Sequence, residues 1–141
     1  MKLIKKGKKK KGFTLIELIA VIAIIGILAA VLAPKILGYM EDAKKSKVIA
    51  QARTAVMALE TYNAKSGIKL DDSNKISKLV TESGDKYKDY YDLSTIDRID
   101  HETAISVCKQ IADGAEFTID ADGKFSALSK PITPGNGTDG N

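Results

Sequence analysis

Glu17 is the only charged residue between Phe13 and Pro34, in a run that is otherwise almost wholly apolar. A carboxylate inside an apolar span costs about 2.5–3.5 kcal/mol on insertion scales, so a lone one usually has a partner or a task. No cationic side chain within the run supplies that partner. The chemistry open to Glu17 is therefore electrostatic: pairing with a cation brought from elsewhere. The alternative is a carboxylate close to the lipid headgroups, reaching outward as long polar side chains do.

The other reactive residue types are scattered. Cys108 is the only cysteine, so no intramolecular disulfide forms, and a small buried hydrophobe is the simplest reading of it. His101 is the only histidine and has no second ligand at metal-binding spacing. Asp120, Asp122 and Gly123 resemble the start of a calcium loop, but Lys124 and Phe125 follow where oxygen ligands are needed, and a turn fits better. Asn136-Gly137-Thr138 matches a glycosylation sequon, a weak three-residue signal. No nucleophile, base or metal constellation emerges, which argues against an enzyme and implies no cofactor and no metal.

The elements that must position Glu17 begin with the apolar run itself. Phe13 to Ala33 would make about 31 Å of helix, enough to cross a bilayer core. A secretory signal peptide is the competing reading, with Val31-Leu32-Ala33 as its cleavage pattern, but Pro34 follows at once and Glu17 sits in the apolar region. Gly26, Ala30, Ala33 and Pro34 allow close helix approach, and Gly26 and Pro34 weaken the helix locally, Pro34 by removing the bond to the Ala30 carbonyl. Ordinary use of Gly and Pro in membrane helices is the plainer alternative.

Beyond Pro34 the pattern becomes amphipathic, with Val48, Ala52, Ala55, Leu59 and Tyr62 on one face and Lys44, Lys47, Gln51 and Glu60 largely elsewhere. A single helix from about Phe13 to Ser66, roughly 80 Å long, is predicted, with Gly67 as its stop. Asp72 and Ser73 are expected to cap a short helix through Ile76, Leu79 and Val80, ended by Gly84. A second short helix is expected from about Glu102 to Ala112, stopped by Gly114. Tyr87, Tyr90 and Tyr91 are expected to pack on the long helix. Phe117 and Ile119 alternate with polar neighbours before Asp120-Ala121-Asp122-Gly123, and Phe125 and Leu128 follow: a β-hairpin over Glu116 to Leu128. The segment 131–141 has too few apolar residues to pack and is expected to be mobile. Inspection finds no internal repeat.

The formal net charge is +4, yet seven of the twenty-two basic residues are lysines within the first twelve positions. The remaining fifteen face eighteen acidic residues, so the rest of the chain is mildly acidic. That distribution argues against nucleic-acid binding, which needs a basic surface. It also places the lysine cluster on the cytoplasmic side of a membrane and everything after Pro34 on the other.

The run Gly12-Phe13-Thr14-Leu15-Ile16-Glu17, followed by sixteen uncharged residues and Pro34, resembles the class III-type prepilin signal of type IV pilins and pilin-like proteins. The resemblance covers residues 1 to about 40 closely and the long helix in outline. It implies an α+β fold, a long N-terminal helix packed on a small antiparallel sheet. It also implies four parts: a cleaved basic leader (1–12), a transmembrane and assembly helix (13–34), a globular head including the amphipathic half of the helix (35–130) and a flexible tail (131–141). By the same likeness, prepilin peptidase would cut between Gly12 and Phe13, Phe13 would be N-methylated, and Glu17 would meet the freed Phe13 amine of a neighbouring subunit during assembly. A glycine before the scissile bond suits a narrow intramembrane site.

The resemblance further implies a type IV pilus subunit that supports adhesion, surface motility or biofilm formation. Its partners would be copies of itself, minor pilins, the peptidase, and an inner-membrane assembly platform with its ATPase. The subunit would wait in the cytoplasmic membrane with its N-terminus inside and its head outside, then move to a cell-surface pilus. A pseudopilin of a type II secretion or DNA-uptake system is the alternative, and a single-pass anchored binding protein that never polymerises is a third reading.

Overall fold

The computed structural model describes residues 12–132; the lysine-rich leader before Gly12, the sequon and most of the expected tail lie outside the described residues. Helix α1 runs from Leu15 to Ser66, 52 residues with Pro34 inside it, close to the predicted span. Pro34 lacks one amide hydrogen, but a long helix held by its other bonds tolerates that loss. The chain divides into two units, one ending at Tyr39 and one beginning at Met40.

In the first unit every described residue of α1 is exposed, from Leu15 through Tyr39. An 18-residue window of this helix reaches a mean hydropathy of 3.0 with none of it buried, so its length and composition suit a membrane span. A helix that is apolar all round has no single face to bury, and water is a poor solvent for it.

The second unit is built on the amphipathic end of α1. Val48, Ala52, Ala55, Leu59 and Tyr62, the face expected from spacing, are all buried, together with Ala58. The alanines among them let neighbouring elements approach the helix closely. Against this face pack α2 (Ile76–Ser83), α3 (Ile105–Ala112) and the hairpin of β1 (Glu116–Ile119) and β2 (Phe125–Lys130). The strands pair antiparallel, Phe117 opposite Leu128 and Ile119 opposite Phe125, with two register irregularities. The result is the long helix on a small antiparallel sheet that the sequence implied.

Three local expectations need correcting. Neither Asp72 nor Ser73 caps α2 with a side chain, and Lys75, the residue before its first turn, supplies no such cap either. Its first amides instead bond to carbonyls of a distant segment, Ile76 N–H to Thr103 at 3.1 Å and Ser77 N–H to His101 at 2.8 Å. α3 starts at Ile105, not Glu102, because Asp100 draws the preceding residues into a turn, accepting from the Glu102 amide at 2.8 Å. Tyr90 does not join the core: it is 60% exposed, with the Lys65 ammonium 4.1 Å from its ring centre. Tyr87 does pack as expected, edge-on to Tyr62 at 5.5 Å and stacked on Tyr91 at 6.3 Å.

Gln51, expected to lie off the apolar face of α1, is half-buried and ties α1 to the segment before α3. Its amide nitrogen donates to the Thr95 carbonyl (3.1 Å) and Asp97 Oδ1 (2.7 Å), and its oxygen accepts from the Arg98 amide (2.7 Å). Asp120 organises the hairpin turn, its Oδ1 accepting from the amides of Asp122 and Lys124, each at 2.9 Å. Gly123 in that turn has a φ of +77°, a backbone shape that favours glycine, and a Cβ there would crowd the Lys44 side chain at 3.0 Å.

Candidate functional site: the N-terminal end of α1

Thr14 stands just before the first helical residue, and its amide donates to Glu17 Oε2 at 2.9 Å. In return the Glu17 amide donates to Thr14 Oγ1 at 3.3 Å. This reciprocal pair satisfies two of the amides that any helix leaves orphaned at its start, and it sets a negative charge against the positive end of the helix dipole. Thr14 was missed in reading the sequence. The signal is Thr-x-x-Glu immediately ahead of an apolar run.

Phe13 lies outside the helix and is 89% exposed. A Cβ added at Gly12 would meet nothing within 4 Å, and the residue has no positive φ, so nothing in this fold requires glycine there. The same holds for Gly26. Among the described residues Glu17 makes no ion pair, and its carboxyl group is held by the Thr14 amide. Phe13, Glu17, Gly26 and Pro34 thus lie on or beside one uncovered helix, with Thr14 and Glu17 in direct contact.

The remaining candidates are engaged elsewhere. Cys108 is fully buried and burial pushes its thiol up to about 11, away from the thiolate needed for reactivity. His101 Nε2 donates to the Ile96 carbonyl at 3.0 Å. Ser83, which lines a cavity of about 290 Å³ with His101, lies 3.0 Å from the Tyr91 hydroxyl and bonds the Leu79 carbonyl. Burial pushes the Tyr91 phenol upward, so this hydroxyl pair is neutral at ordinary pH. Among the described residues no three His, Cys, Asp or Glu side chains gather in a way that could hold a metal ion.

A family model described as the prokaryotic N-terminal methylation motif matches residues 7–33, the stretch that contains Gly12, Phe13, Thr14 and Glu17. Residues 7–33 therefore carry the prokaryotic N-terminal methylation motif, and the chain's similarity is to pilins and to type II secretion core proteins.

The particular relatives are of two kinds. The chain is 41% identical over 70 residues to the type II secretion system core protein G of Vibrio cholerae, covering 50% of this chain and 44% of that one. It is 47% identical over 55 residues to the type IV wide pilus major component PilA4 of Thermus thermophilus, covering 39% and 42%. To the fimbrial protein EcpB of Eikenella corrodens it is 43% identical over 60 residues, covering 43% and 38%. The chain thus spans less than half the length of these curated relatives. No solved structure matches it.

Proposed function

We propose that this chain is a structural, non-enzymatic subunit of a type IV pilus, polymerising through α1 after cleavage between Gly12 and Phe13. The observation that carries the reading is the first unit of α1: a helix apolar on every side, uncovered along its length, that begins at a capped glutamate. Such a surface is stable in lipid or against copies of itself. Cleavage would create the missing cation, a free amine on Phe13 directly before the Thr14–Glu17 cap. In the membrane, Glu17 keeps its Thr14 partner; during assembly it accepts the amine of a neighbouring subunit.

On this reading residues 1–12 are the leader, 13–34 the membrane and assembly helix, 35–130 the head and 131–141 a tail. The leader lysines hold the N-terminus in the cytoplasm and the head lies outside. Prepilin peptidase, which also N-methylates Phe13, and an inner-membrane platform with its ATPase are the processing and assembly partners. Minor pilins and further copies of the chain complete the filament.

A second reading, a pseudopilin of a type II secretion or DNA-uptake system, is favoured by the likeness to core protein G. Electron microscopy of sheared surface material with an antibody to the head separates the two: labelled long fibres support the pilus, and label confined to the envelope supports the pseudopilin. Processing itself is read by mass spectrometry of the mature N-terminus. A chain starting at methylated Phe13 supports both readings, and one starting at Met1 contradicts them.

A further inference from the structure

The capping of α2 and α3 is mutual. Ile76 and Ser77 donate to Thr103 and His101, while Ile105 and Ser106 donate to Asn74 (2.9 Å) and Asp72 (2.7 Å). Exchanging the two segments, 29 positions apart, maps each of these four bonds onto another. The match extends inward: Asn74 N–H to the Asp71 carbonyl (3.0 Å) corresponds to Thr103 N–H to the Asp100 carbonyl (2.9 Å).

Backbone angles agree as well, φ −76° and ψ 155° at Lys75 against φ −68° and ψ 143° at Ala104, and these two residues form an isolated antiparallel bridge. Asp71, Ile76 and Ser77 are matched by Asp100, Ile105 and Ser106 in type. Three identities are too few to stand out in the sequence, and the correspondence is carried by the backbone.

We propose that residues 71–83 and 100–112 are two copies of one turn-and-helix unit forming a clasp, in which each copy caps the other's helix and the two open together over the buried face of α1. The first amides of a helix need partners, and neither helix has a side-chain cap. Each eight-residue helix is too short to persist alone in water. Freeing one copy removes the acceptors of the other. It also strips Ile76, Leu79, Ile105, Cys108 and Ile111 from the cluster that covers Val48, Ala52 and Ala55. On the outside, Lys75 and Glu102 bridge the copies at 2.7 Å, and that bond holds the carboxyl below and the amine above their ordinary ranges.

Amide hydrogen exchange on the unaltered full chain in detergent micelles, across a denaturant series, tests the clasp directly. The amides of Ile76, Ser77, Ile105 and Ser106 are expected to share one opening constant within about threefold and one denaturant slope. A larger separation between the α2 pair and the α3 pair overturns the proposal. A second arm uses Ser77→Pro, which deletes an amide donor in the first turn of α2, where proline is tolerated, and reads labelling of the buried Cys108 thiol in α3. Labelling is expected to accelerate about tenfold over Ser77→Ala, the factor expected for one lost hydrogen bond. An unchanged labelling rate in a folded Ser77→Pro chain contradicts the clasp, and the exchange measurement stands whether or not that variant folds.

Discussion

Between Leu15 and Tyr39, α1 buries no residue, whereas between Val48 and Tyr62 the same helix buries six. The difference lies in arrangement more than in helix-forming tendency. The first stretch carries Leu, Ile and Val at nearly every position, so no single partner within this chain could cover all its sides. The second confines its apolar residues to one stripe, and 70-odd residues of downstream chain are enough to cover a stripe. A monomer can satisfy the second stretch by itself, but the first needs lipid or other subunits.

That contrast can be broken most sharply by truncating one apolar residue on each side of it. Leu79→Ala, in the buried cluster, is expected to destabilise the head by about 2–5 kcal/mol. Ile22→Ala, in the uncovered stretch, is expected to leave head unfolding within about 0.5 kcal/mol of the wild type. Denaturant unfolding in detergent, followed by tyrosine fluorescence from the head, measures both. Equal losses would mean that the first stretch is packed against the head.

The next largest effect is a pH dependence confined to the covered side. Cys108 has its folded value raised from 9.0 to about 11, so the folded state keeps a proton that the unfolded chain releases. Its contribution is fully present below about pH 9 and falls as pH rises toward 11, by about 2–3 kcal/mol in all. Cys108→Val removes this component, so the difference between the two unfolding curves isolates it from the titration of tyrosines and lysines.

Two smaller effects compare glycine and capping demands at the two ends. Gly123→Ala, forced into a positive φ against Lys44, is expected to cost about 1–3 kcal/mol of head stability, while Gly26→Ala, with open space around it, costs the head nothing. Calorimetry of the two variants reads the contrast. Thr14→Ala is expected to fray the first turn of α1 by about 1 kcal/mol, seen as faster exchange of the Glu17 amide, and Thr14→Ser restores it.

How much of this was legible in the sequence follows from how local each signal is. The stripe from Val48 to Tyr62 and the turn at Asp120–Gly123 depend on spacing and neighbouring residues, and both were readable. Thr14 was readable too, since its partner is three positions away, but the cap was overlooked. Gln51 and the reciprocal caps of α2 and α3 were not readable, because their partners lie 20 to 50 positions away and are mostly backbone groups, which any residue type supplies. Tyr90 shows the converse: its aromatic ring suggested burial, but the ammonium of Lys65 gave it a partner at the surface.

The docking of a newly freed Phe13 amine on Glu17, which Thr14 caps in the single chain, is the proposed basis of assembly. Its most direct test is the amount of filament sheared from cells producing Glu17→Ala, set beside the state of the mature N-terminus in the same cells. The expected result is a chain trimmed to Phe13 that stays in the membrane fraction, with filaments nearly absent. Filaments at the wild-type amount, built from the trimmed variant, would contradict it.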